Sequence, residues 1–187
     1  MTLSLDPKTA LVVIDLQHGI VRLAKSLNLS EAVDAVVANS IAVLDAFRAQ
    51  GLPVVLVNVA GGAPGRTEQA RSHDELPADW AELLPELNTQ DGDILITKHN
   101  WGAFIGTDLD QQLKAQGVTQ VVVLGIATSI GVESTARQAY ELGYNVTLVT
   151  DAMADVAEAT HQNSIEHIFP RLGQRTTSAQ LLDNLKG

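Results

Sequence analysis

Ala10-Leu11-Val12-Val13-Ile14-Asp15-Leu16 is a nearly unbroken aliphatic run that ends around a single carboxylate. A strand with that pattern has no polar face, so it must be buried on both sides. The same grammar returns at Pro53–Val59 (PVVLVNV), Asp93–Thr97 (DILIT), Gln120–Leu124 (QVVVL) and Asn145–Thr150 (NVTLVT), with Gln174–Thr177 as a short sixth candidate. Helical patterns lie between these runs. Ser30 can cap a helix whose Val33, Val36, Val37, Ile41, Leu44 and Phe47 recur at helical spacing until Gly51 stops it. Further helices are expected near Asp108–Gln116, from about Ile130 to Leu142, from about Glu158 to Phe169 before Pro170, and over Ala179–Leu185 with Ser178 as its cap. Doubly buried strands alternating with helices require a sheet covered on each face. The expected fold is therefore α/β: a three-layer α/β/α sandwich around a mostly parallel, roughly six-stranded, doubly wound sheet.

At 187 residues the chain suits a single domain over 1–187. Twelve Lys and Arg face twenty-two Asp and Glu, a net charge of -10 that argues against nucleic acid or an anionic membrane surface as partner. No apolar run approaches the roughly 18 residues needed to span a bilayer. The first residues, Met-Thr-Leu-Ser-Leu-Asp, lack a basic region followed by an apolar core, so the expected location is cytoplasmic. Cysteine is absent, which removes disulfides, thiolate metal sites and any cysteine nucleophile.

In a doubly wound sheet, ligands sit beyond the carboxyl ends of the strands where the winding reverses. Asp15 leaves an apolar strand, where partial burial would raise its pKa. Lys98 ends the third strand. The fourth runs into Gly125-Ile126-Ala127-Thr128-Ser129-Ile130-Gly131, a turn that opens a helix and aims backbone N–H groups at the ligand space. Taken singly, Asp15 also reads as a turn residue and Lys98 as a surface lysine. The stretch 60–92, with Gly61, Gly62, Pro64 and Gly65 at its start, interrupts the rhythm. It reads equally as a functional lid or as a solvent-exposed excursion with a short helix.

In this order the motifs resemble an isochorismatase-like hydrolase, the superfamily that also holds nicotinamidases and N-carbamoylsarcosine amidases. The resemblance rests on Leu11–Gln17, Lys98 with Trp101-Gly102-Ala103-Phe104 and Thr107-Asp108-Leu109, Gly125-Ile126-Ala127-Thr128, Val132–Arg137 and Asp151–Asp155. It implies a six-stranded parallel sheet, a small-molecule substrate, no cofactor, and a homo-oligomer of two or more chains. Most members carry an Asp-Lys-Cys triad, whose positions match Asp15, Lys98 and Gly131 here. The resemblance also implies a cis peptide at Ala127–Thr128 presenting oxyanion-hole N–H groups, with Gln17, Trp101 and Phe104 on the substrate side.

Glycine at 131 excludes a thioester route, and Ser129 and Ser134 are poor stand-ins because neither occupies that position. The family's true isochorismatases also lack the cysteine. They hydrolyse a vinyl ether, which needs an acid to protonate the enol-ether carbon before water captures the oxocarbenium ion. Asp15 is the candidate acid, provided burial outweighs the pull of Lys98. The expected function is acid-assisted hydrolysis of a small, carboxylated, vinyl-ether-like substrate, with Arg66 and Arg71 supplying cations to the pocket. The alternative is a non-catalytic small-molecule binding protein that keeps the pocket. No metal is expected. The Asp-x-His motif of the zinc-containing members is absent from Asn58–Gly62, His73 stands with Asp74 alone, and His161 and His167 do not share a helix face.

Overall fold

The computed structural model describes residues 3–68 and 76–186. Six strands form one sheet in the order β3-β2-β1-β4-β5-β6. They are β1 (Thr9–Ile14), β2 (Val54–Val59), β3 (Ile94–Lys98), β4 (Gln120–Ile126), β5 (Asn145–Ala154) and β6 (Gln174–Thr176). Every pairing is parallel. The chain winds outward from β1 to β3, then returns to the other side of β1 to place β4. The winding thus reverses between β1 and β4, where the carboxyl ends open a crevice.

The aliphatic runs divide by alternation. Ala10, Val12 and Ile14 of β1 and Val121 and Val123 of β4 face one core with Leu109, Leu113, Ala136 and Phe169. Leu11 and Val13, with Val122 and Leu124, face the other with Val36, Leu44, Phe47 and Leu181. The first core is covered by α3 (Leu109–Ala115), α4 (Glu133–Glu141) and α6 (Phe169–Leu172), the second by α1 (His18–Ser26), α2 (Ser30–Ala49) and α7 (Ser178–Leu185). The three layers expected from the sequence are present.

Several boundaries differ from expectation. Helix α1 was not expected: Ile20, Val21, Leu23 and Ala24 do gather on one face, but nine residues carry that pattern through only about two and a half turns. Strand β4 runs on through Gly125 and Ile126, and β5 through Ala154, past a register shift between Val123 and Gly125. Helix α4 is entered through a wide π-type turn at Thr128–Val132. The helix expected over 158–169 is α5 (Glu158–Asn163), then another π-type turn at Ser164–Ile168, before α6. The cap of α7 is Thr177, not Ser178: its side chain accepts from the Gln180 N–H, while Gln180 reaches back to the Thr177 N–H. Ser178 instead donates from its N–H and Oγ to the two oxygens of Asp151, tying α7 to β5.

Candidate active site

The residue after β1 turns sharply. Asp15 adopts φ 53°, in the left-handed region that costs a non-glycine residue about 1 kcal/mol. Its N–H donates to the Val57 carbonyl, and its own carbonyl accepts from the Gln17 N–H. This kink turns the carboxylate into the crevice, where Lys98 arrives from β3. The Lys98 Nζ donates to Asp15 Oδ2 at 2.7 Å, to the Trp101 carbonyl at 2.9 Å and to the Asn100 carbonyl at 3.3 Å. Three protons thus meet three acceptors. Both residues are buried, and Asp15 Oδ1 has no hydrogen-bond partner. Burial pushes the Asp15 carboxyl up to about 6, while the charge and hydrogen bond of Lys98 pull it down.

Gly131 closes the floor from the turn before α4. A Cβ there would lie 3.1 Å from Asp15 Oδ2, 3.6 Å from Lys98 Nζ and 2.9 Å from Ile14 Cγ2. The three positions named by the sequence therefore meet in one place. Above them opens a cavity of about 410 Å³, walled by α1 (Ile20, Leu23), Trp80, Trp101, Ile130 and Val156.

The turn itself is braced from behind. The Ser129 N–H donates to Asp155 Oδ2 at 2.7 Å, and Asp155 Oδ1 accepts from the Val156 N–H. Thr128 Oγ1 and His161 Nδ1 share a hydrogen bond of 2.8 Å. The sequence named His161 only as a metal candidate to be set aside, and Asp155 only as the end of the Asp151–Asp155 motif; neither was expected to brace the turn. The cis peptide is Ile126–Ala127, not Ala127–Thr128 as expected. The displacement follows from the strand's extra length: β4 ends at Ile126, so Ala127 already serves as the extended cap and Thr128 is the first residue of the turn.

Other expected site residues are placed elsewhere. Ala127 and Trp101 line the cavity, whereas Thr128 lies beneath it with its hydroxyl turned to His161. Gln17 does not reach the cavity. Its amide donates to the Val59 and Trp80 carbonyls and accepts from the Val59 N–H, which pins the 60–92 segment to β2. Phe104 packs in the core against Tyr144, with ring centroids 5.8 Å apart. Arg66 is exposed and is not part of the cavity lining; Arg71, like His73 and Asp74, lies outside the described residues. The 60–92 segment does contribute Gly61, Gly62, Leu76 and Trp80 to the cavity wall. Among the described residues, no group of three or more His, Asp or Glu is placed to hold a metal, and no helix is long and apolar enough to cross a membrane.

Comparison with known proteins gives the family. The Isochorismatase domain pattern matches residues 9–180. The isochorismatase family protein YwoC of Bacillus subtilis is 46% identical over 99% of this chain and 98% of its own length. The ureidoacrylate amidohydrolase RutB of Stutzerimonas stutzeri is 32% identical over 78% of this chain and 69% of its own. An isochorismatase family protein from Burkholderia thailandensis superposes over the whole of both chains with a TM-score of 0.90 at 40% identity. N-carbamoylsarcosine amidase from Thermoplasma acidophilum reaches 0.73 at 29% identity, over 91% of this chain and 96% of its own. With the domain pattern spanning nearly all of the sequence and full-length relatives alike in sequence and fold, the chain belongs to the isochorismatase family of hydrolases.

Proposed function

We propose that this chain hydrolyses a small vinyl-ether-like substrate by acid assistance, without a cysteine. The observation that carries the reading is Asp15: buried, raised to about 6, held through Oδ2 by Lys98, and free of any partner at Oδ1. In this reading the acidic proton sits on Oδ1, the oxygen that Lys98 leaves without a partner. Protonated Asp15 gives its proton to the terminal enol-ether carbon, leaving an oxocarbenium ion. Water adds to that cation and returns a proton to the carboxylate, and the hemiketal collapses to a carbonyl compound and an alcohol. Glycine at 131 puts no side chain beside the pair, at the position that matches the thiol of most members of the family it resembles. The 60–92 segment serves as the cover of the site, since Leu76 and Trp80 form part of its wall. Arg66 and Arg71 were expected to answer a carboxylate on the substrate; Arg66 stands away from the cavity and Arg71 lies outside the described residues, so the enol ether is the part of that expectation retained here.

A second reading has its own observation. Lys98 lies 2.7 Å from Asp15 and favours the ionised carboxylate, which binds but cannot protonate. The protein would then be a non-catalytic binder of small molecules. Incubation with phenyl vinyl ether and with isochorismate, following acetaldehyde and pyruvate release, separates the two. Turnover of the uncharged phenyl vinyl ether by the natural chain, lost in Asp15→Asn, is the expected result. Ligand binding with no release of either product is the result that favours the binder.

A further inference from the structure

We propose that the cavity above Asp15 takes a compact, uncharged molecule with an apolar body, its one polar end set against Asp15 and Gly131. This rests on the cavity being the reaction site. The walls come first: Ile20, Leu23, Leu76, Trp80, Trp101 and Val156 present carbon to the ligand. At about 410 Å³ the space suits a molecule of one ring with a short substituent.

The floor carries charge, and its one cation is answered internally. Lys98 is the one cation among the described lining residues, and its three protons are given to Asp15 Oδ2 and the carbonyls of Asn100 and Trp101. None remains for a substrate carboxylate. At the N-terminal end of the turn before α4, the usual place for an anion, the Ser129 N–H is already taken. Asp155 accepts the Ser129 N–H at 2.7 Å and brings its own negative charge there. An anionic ligand would therefore be desolvated beside the Asp15 carboxylate, with no free cation among the described lining residues. The chain's net charge of -10 adds a long-range opposition. A cationic ligand fares no better at the floor, since reaching Asp15 brings it against the Lys98 ammonium, 2.7 Å from that carboxylate. Only a neutral group avoids both penalties.

Benzamide, benzoate and benzamidine test this, being matched in size and shape but differing in charge. Calorimetric titration of the natural chain at pH 7.5 is expected to show benzamide at least tenfold tighter than either ion. Leu23 stands half-exposed on the rim. Leu23→Arg supplies a cation there and is expected to raise the ratio of benzoate to benzamide affinity at least fivefold. Val156→Lys, across the rim and equally exposed, repeats the test should the first variant fold poorly. Either ion binding as tightly as benzamide overturns the proposal. So does failure of all three to bind, or a folded rim variant with no gain for benzoate over benzamide. None of the probes carries an enol ether, so this result stands apart from the presence or absence of vinyl-ether turnover.

Discussion

Asp15 has a carboxyl group that folding makes harder to ionise, and stability should record this. Its folded-state pKa of about 6 lies above the ordinary 3.8, so the native state holds this proton more tightly than the unfolded chain. The stabilising contribution is complete below about 3.8 and is lost as pH rises through about 6. A gap of roughly two units is worth about 3 kcal/mol. Urea denaturation of the natural chain and Asp15→Asn should show their difference in unfolding free energy shifting by about 2–3 kcal/mol against the natural chain from pH 4 to 7. A constant difference would mean that Asp15 ionises normally. Gly131 makes a second residue-scale test. A side chain there meets Ile14 Cγ2 at 2.9 Å and Asp15 Oδ2 at 3.1 Å. Gly131→Cys should therefore fold with a loss of about 1–2 kcal/mol. Its thiol, close to the Lys98 ammonium, should alkylate faster than free cysteine at pH 7. Alkylation no faster than that of free cysteine would show that the ammonium does not act on position 131.

At the scale of elements, the placement of the strands was readable because doubly buried strands must be aliphatic throughout, and five such runs stand in the chain. Asp15, Lys98 and the turn before Gly131 were readable for the same reason: each follows or ends one of those runs. What escaped was written in contacts between distant segments. Helix α1 depends on Gly19, where a Cβ would lie 2.3 Å from the Trp80 ring, a residue some sixty positions away. The resemblance put Gln17 on the substrate side, yet its amide is consumed by backbone groups of Val59 and Trp80. Phe104 similarly turned inward to Tyr144. Two substitutions probe this scale. Gly19→Ala should displace Trp80 from the cavity wall, seen as a change in tryptophan fluorescence and weakened benzamide binding; an unchanged emission spectrum would argue against the close packing. Thr177→Ala removes the side-chain half of the α7 capping box and should cost about 1 kcal/mol in urea denaturation. A cost near zero would shift the capping role back to Ser178.

At the scale of the whole molecule, the reversal of winding between β1 and β4 makes the site a meeting of three strand ends. β1 delivers Asp15, β3 delivers Lys98, and β4 delivers the turn that carries Gly131. The two buried cores hold these ends rigid, so the pair at the floor needs no ligand to assemble. The central claim is that Asp15 acts as an acid, and the pH dependence of kcat/KM for phenyl vinyl ether tests it most directly. An acid with a pKa of about 6 must be protonated to work, so the rate should be level at low pH and fall about tenfold per unit above about 6. Asp15→Asn should leave only the uncatalysed rate across the range. A profile that rises through the same region, or full activity in Asp15→Asn, would contradict the account.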